Sequence, residues 1–115
     1  MEKIQIQDVI KCNKTLCKML EQRTTFSISL GLKLIKIMKN FEEAENYIFE
    51  IMDIAFPNLQ WNNMSDKEIE FYNKLITEEI EMDFEKIPKK FFENNEKLML
   101  SLEDINNLSI ILCEN

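Results

Sequence analysis

A chain of 115 residues, 45% of them hydrophobic, has the length of one domain and enough apolar content for one core, which excludes a disordered chain. Its net charge of −7 argues against nonspecific binding to nucleic acid, which needs a Lys/Arg patch to displace counterions. The lack of histidine removes the Ser-His-Asp and Cys-His nucleophiles and the commonest metal ligand, and a single glycine, Gly31, cannot build a phosphate-cradling loop.

Residues 3–7, Lys-Ile-Gln-Ile-Gln, alternate polar and apolar and predict a half-buried strand with Ile4 and Ile6 facing the core. Asp8 is the expected N-cap of a first helix, in which Val9, Cys12, Leu16, Met19 and Leu20 recur at helical spacing to about Gln22. Thr24 and Thr25 are expected to end it. A second helix is predicted from about Ser27 to Phe56, on the stripe Leu34, Met38, Phe41, Ile48, Met52 and Ala55, widened by Leu30, Ile37, Ala44 and Ile51. A helix of nearly 30 residues would run about 45 Å, long for a domain of this size, so either Gly31 divides it or one end projects, and a break or bend near Gly31 is the expectation. Pro57 and Asn58 stop it.

A loop holding Leu59 and Trp61 follows. Ser65 with Glu68 forms a capping box and opens a third helix to about Thr77, with Ile69, Tyr72 and Ile76 on the core face and Phe71 and Leu75 beside them. From Glu79 to Glu85 the period switches to two, which places Ile80, Met82 and Phe84 inward on a strand. Its expected partner is residues 3–7. Pro88 ends the strand, a short helix or turn is expected at Lys89–Asn94, and a last helix follows Ser101 and Asp104 on the stripe Leu102, Ile105, Leu108 and Leu112. The expected fold is therefore α+β and mainly α: one domain over 1–115, with about four to five helices and a two-stranded sheet of 3–7 and 79–86.

Cys12, Cys17 and Cys113 are odd in number and include no CxxC pair, so neither a disulfide framework nor a zinc site is expected, and all three read as ordinary buried or half-buried thiols. No apolar run approaches the roughly 18 residues of a membrane span, and the first seven residues lack a signal-peptide core, so a cytosolic protein is expected. Nearly all basic residues are lysine, Arg23 being the one arginine, and isoleucine and asparagine abound. That bias belongs to an A+T-rich genome, such as that of a low-GC bacterium or its phage.

Two stretches, Lys74-Leu-Ile-Thr-Glu-Glu-Ile-Glu-Met-Asp-Phe-Glu-Lys-Ile87 and Leu100-Ser-Leu-Glu-Asp-Ile-Asn-Asn-Leu108, with a fainter Phe41-Glu-Glu-Ala44, carry a further signal. They resemble a family of small phage and prophage proteins from siphoviruses of low-GC Gram-positive bacteria. In that family a strand and two helices lead to a Glu/Leu-rich stretch, an alternating acidic strand and a short helix. The resemblance implies phage origin and no particular activity. The segment around Trp61 has no counterpart in the family.

The most distinctive candidate site is the acidic ladder Glu79, Glu81, Asp83 and Glu85. On a strand its carboxylates would share one face about 6.5–7 Å apart, close to the phosphate spacing of a DNA strand. Such a row could occupy a basic nucleic-acid-binding groove. The plainer reading is a solvated face that keeps an exposed strand from pairing with other chains. Carboxylates so spaced cannot close round one Ca²⁺ or Mg²⁺, and on a convex face they offer no cleft for acid–base catalysis. Trp61 reads as a plug folded over the core or, alternatively, as an exposed anchor for a partner. The methionines are packing, and Lys89-Lys90 beside Phe91-Phe92 is too small for a nucleic-acid patch.

These features point to a non-enzymatic acidic binding protein, phage- or prophage-encoded. It would need no cofactor or metal and would not contact nucleic acid or membrane directly. The expected partner is a host or phage protein, such as a nucleic-acid-handling defence complex with a basic groove, which it would inhibit in the manner of an anti-CRISPR. The alternative is an accessory protein of virion assembly.

Overall fold

Leu30, Leu34, Ile37, Phe41, Ala44, Ile48 and Met52 recur every three or four residues, the spacing that lines up one face of a helix. All seven are buried on the face of a single 28-residue helix. In the computed structural model, which describes residues 2–21, 28–90 and 100–114, this helix is the longest element. The order is β1 (Glu2–Gln5), α1 (Ile6–Glu21), α2 (Ile28–Ala55), α3 (Asp66–Ile76), β2 (Glu79–Met82), β3 (Ile87–Pro88) and α4 (Leu102–Leu108). A 3₁₀ turn (Ser109–Ile111) and β4 (Leu112–Cys113) close the described chain. The fold is α+β and mainly helical, as expected. Among the described residues no helix is long and apolar enough to cross a membrane.

The buried stripe of α2 serves two clusters. Leu30 to Ala44 pack with Val9, Cys12, Leu16 and Met19 of α1, Ile4 of β1, Met82 of β2, and Ile87, Leu108 and Ile111. Ile48 and Met52 pack with Ile6, against which Ile10, Phe56, Leu59, Tyr72, Leu75 and Ile76 lie half-buried. Ile80 touches both clusters.

The helix runs unbroken through Gly31, contrary to the expected break there. Leu30 and Leu34 on either side are both buried, so their burial carries the helix across the one weak residue. At 1.5 Å per residue α2 is about 42 Å long, close to the 46 Å longest extent of the protein.

The expected strands pair antiparallel, with Glu2, Lys3, Ile4 and Gln5 opposite Met82, Glu81, Ile80 and Glu79. Both are shorter than the alternation suggested. Ile6 leaves the sheet to open α1, its N–H donating to the Glu78 carbonyl at 3.0 Å while its side chain drops between Ile48 and Met52. Asp8 therefore lies in the first turn of α1 instead of capping it, where its charge suits the helix dipole. Residues 83–86 lie outside β2, because the ladder to β1 ends at Glu2↔Met82. The inward face survives this shortening. Ile4, Ile6 and Met82 are buried, and Ile80 and Phe84 pack against the core half-buried, with Phe84 edge-on to Phe41 at 5.4 Å. A second pair was not foreseen: β3 and β4 run parallel, Ile87 opposite Leu112 and Pro88 opposite Cys113.

The Ser65 capping box is present, with Ser65 Oγ accepting from the Glu68 N–H and Glu68 Oε1 from the Ser65 N–H at 2.7 Å. Ile69 departs from the expected core face of α3. It and Phe71 are exposed, while Tyr72, Leu75 and Ile76 do the packing. Thr24, Thr25 and most of the turn expected at Lys89–Asn94 lie outside the described residues.

On α4 the expected apolar stripe is replaced by a partly polar one. Leu102 is 87% exposed and Ile105 49%, whereas Asp104 and Leu108 are buried. Two contacts to α1 set this rotation. Lys18 Nζ donates to Asp104 Oδ2 at 2.6 Å, and Asn107 Nδ2 donates to Thr15 Oγ1 at 3.4 Å. Asp104 also caps its own helix, since Oδ2 accepts from the Ser101 N–H at 3.0 Å. Asp104 thus faces α1 and accepts from a cation and a backbone N–H at once, while Leu102 is left on the outside.

Two outcomes follow for stability. A Cβ added at Gly31 meets nothing within 4 Å, so Gly31→Ala should raise unfolding stability by roughly 0.5–1 kcal/mol in urea titrations. Lowered stability would indicate a local break at this residue. At Asp104 the Lys18 hydrogen bond, followed by the backbone bond at Ser101, holds the carboxyl below its ordinary value of 3.8. A carboxyl with a depressed folded pKa contributes stability that is present above its unfolded pKa and lost as pH falls through the folded value. Asp104→Asn should therefore be less stable than the parent at pH 7, and the gap should close only as pH drops below about 3.8 in thermal melts.

Candidate protein-docking groove

The register of β1 and β2 divides the acidic ladder. Glu79 and Glu81 lie on the outward face of the sheet, opposite Gln5 and Lys3. Asp83 and Glu85 follow the end of the strand, so the even row of four expected from the alternation extends over two residues only. All four are exposed. Glu85 is bound by Lys33 of α2 at 3.4 Å, and its neighbour Lys86 binds Glu2 at 2.7 Å. The ladder is thus neutralised at its far end.

Its middle faces α2. Asn40, Glu43, Ala44 and Tyr47 stand at i, i+3, i+4 and i+7 on that helix, on the flank beside the buried stripe. Asn40 Nδ2 donates to the Asp83 carbonyl at 3.3 Å and fastens the end of β2 along the helix. Between them lies a groove whose rim carries Glu43, Glu81 and Asp83, and whose floor is Ala44, Ile80 and Met82. Tyr47, 63% exposed, forms one end. No cation is among the residues that line it. One turn back along α2 the polarity reverses. Leu32, Lys33, Lys36 and Ile37 face Phe84 and Glu85 in an adjoining groove, with Asn40 as the shared wall.

No family model matches the chain, and neither a curated protein nor a solved structure shows significant similarity to it. The chemistry of the groove therefore has to be read from its own residues. Three carboxylates around an exposed phenol ring over an apolar floor suit a lysine or arginine side chain. The charge would pair with the rim, the cation would sit on the ring face, and the aliphatic stem would lie on the floor. Glu81 and Asp83 were legible in the sequence as members of the ladder. Glu43 and Tyr47 were not, although their spacing from Asn40 placed them together on one flank of α2; nothing local tells which strand that flank meets.

Trp61 does not line this groove. Its ring meets Phe49 at 5.2 Å and Tyr72 at 5.9 Å, both edge-on, and it remains 42% exposed. It is folded back onto Phe49 of α2 and Tyr72 of α3, and it lies in neither core cluster.

Two of the three thiols are held in the protonated form. Burial pushes Cys12 up to about 12, and Cys17 is raised by burial and then by Glu42, Glu45 and Glu21. Both stay protonated near neutrality, and the thiolate is the reactive form. All three cysteines are free. Between α1 and α2, Asn13 Nδ2 donates to Glu45 Oε1 at 3.3 Å, a bond that lowers the Glu45 pKa against the larger upward effect of burial.

Proposed function

We propose that this is a non-enzymatic acidic binding protein that docks a basic segment of another protein in the groove between α2 and β2. The observation that carries the reading is the lining of that groove: Glu43, Glu81 and Asp83 on the rim, Tyr47 at one end, and no cation among the lining residues. Carboxylates that form no ion pair among the described residues attract a cationic partner from a distance and raise its encounter rate. The resemblance carried by residues 74–87 and 100–108 supports a phage or prophage origin. On that footing the partner is a host protein with a basic nucleic-acid-binding surface, such as a defence complex, whose groove the acidic face would occupy in the manner of an anti-CRISPR. A second reading, an accessory protein of virion assembly, is favoured by the exposed apolar residues Ile28, Leu32 and Ile54 at the two ends of α2.

The test separates the groove from the rest of the ladder. A partner captured from a low-GC host lysate is presented to the parent protein, to Glu43→Gln/Glu81→Gln/Asp83→Gln, and to Glu79→Gln/Glu85→Gln, at low and high salt. Docking in the groove should slow association of the triple variant about tenfold at low salt and flatten its salt dependence. The double variant should stay close to the parent. Unchanged rates and salt slope in the triple variant would contradict the reading.

A further inference from the structure

The charges of α2 run against its dipole. Its first half carries Lys33, Lys36 and Lys39 and no acid, and its second half carries Glu42, Glu43, Glu45, Glu50 and Asp53 and no base. A helix is stabilised by acids in its first turn and bases in its last, and α2 has neither, so its charges are not ordered to suit its own dipole. Among the described residues, Lys36, Lys39, Glu43 and Glu50 take part in no ion pair. Lys39, Glu43 and Glu50 lie with apolar residues on the face of α2 turned from the core, and Lys36 stands at its edge beside Leu32. Ile28, Leu32, Ile35, Lys39, Glu43, Asn46, Glu50 and Ile54 recur every three or four residues, and all are exposed, Ile28 at 84% and Ile54 at 82%. A helix with a core stripe on one side and a second amphipathic stripe on the other has two faces to cover.

We infer that this outer face of α2 pairs antiparallel with the same face of a second copy of the chain. The geometry selects that occupant. With two copies laid antiparallel about a two-fold axis at the level of Phe41, Ile28 of one comes level with Ile54 of the other, and Lys39 with Glu43. Leu32 comes level with Glu50, which Lys36, one turn along the helix from Leu32, can reach. The two-fold axis repeats each of these contacts, so both apolar ends are covered and the unpaired lysines meet the unpaired carboxylates. A parallel arrangement would set lysine against lysine and glutamate against glutamate, which disfavours it. Glu43 borders both surfaces, so pairing with Lys39 of a second copy and docking of a basic segment compete for this one carboxylate, while Glu81 and Asp83 belong to the groove alone. A single helix-on-helix seam belongs to the small end of specific interfaces, below about 1,200 Å² in total, so monomer and dimer should exchange.

Sedimentation velocity over rising concentration tests it with the full chain. The parent should move from 13.8 kDa towards twice that mass, and added salt should push it back, because the charge pairs are exposed and screened. Lys36→Glu/Lys39→Glu makes the exposed charges of the face all acidic, and Glu43→Lys/Glu50→Lys makes them all basic. Each variant alone should be monomeric, and an equimolar mixture should recover the dimer. Ile28→Asp, at an exposed position in the first turn of α2, should abolish association without lowering the thermal melt, which separates a lost interface from a lost fold. A parent that stays monomeric at about 1 mM, variants that dimerise alone as well as the parent, or a mixture that remains monomeric would each overturn the inference.

Discussion

The stripe from Leu30 to Met52 on α2 is the constraint on which the other elements depend. Its first five members close one hydrophobic cluster with α1, Ile4, Met82 and Leu108, and its last two close another with Ile6 and the half-buried residues of α3. Neither cluster could hold alone a helix about 42 Å long; together they bury one face along its whole length. The sheet acts as the clasp between them. Ile4 and Ile6, two residues apart, enter different clusters because the chain turns from strand into helix between them, and Ile80 touches both.

The site follows from the same stripe. Once Phe41, Ala44 and Ile48 point inward, Asn40, Glu43 and Tyr47 are carried to the flank that β2 approaches, and Asn40 holds Asp83 there. The strand brings its outward carboxylates with it, because Ile80 and Met82 have to face in. An acidic groove is therefore what remains when two apolar periods, 3.6 on the helix and 2 on the strand, are both satisfied. In the N-terminal half of α2, Lys33 reaches the next stretch of the chain and neutralises Glu85.

Much of the fold was legible in the sequence because burial imposes a period. The pairing of residues near Ile4 with those near Ile80, 76 positions apart in the chain, followed from two alternating runs with no other partner. Strand ends were not legible, since alternation from Glu79 to Glu85 records which side chains face in and not where the backbone ladder stops. Gly31 misled as a breaker because helix propensity, about 1 kcal/mol for one glycine, is smaller than the burial of Leu30 and Leu34 beside it. The rotation of α4 was hidden for another reason. Leu102, Ile105 and Leu108 form a plausible stripe, and what overrules it is a contact between Lys18 and Asp104 that no local pattern announces. The pairing of β3 with β4 rests on two residues a side, too few for a period to show. In the groove, Glu81 and Asp83 could be read from the strand, whereas Glu43 and Tyr47 became functional candidates only when the helix flank and the strand edge were seen together.

If one helix ties both clusters into a single cooperative unit, its backbone should open only when the whole protein unfolds. Native-state hydrogen exchange measures this directly. The slowest amides should run without interruption from Leu34 to Met52 and share one opening free energy with Val9 to Met19 of α1. Two protected blocks, one around Phe41 and another around Met52, with separate opening energies and rapid exchange near Ala44 between them, would contradict the account.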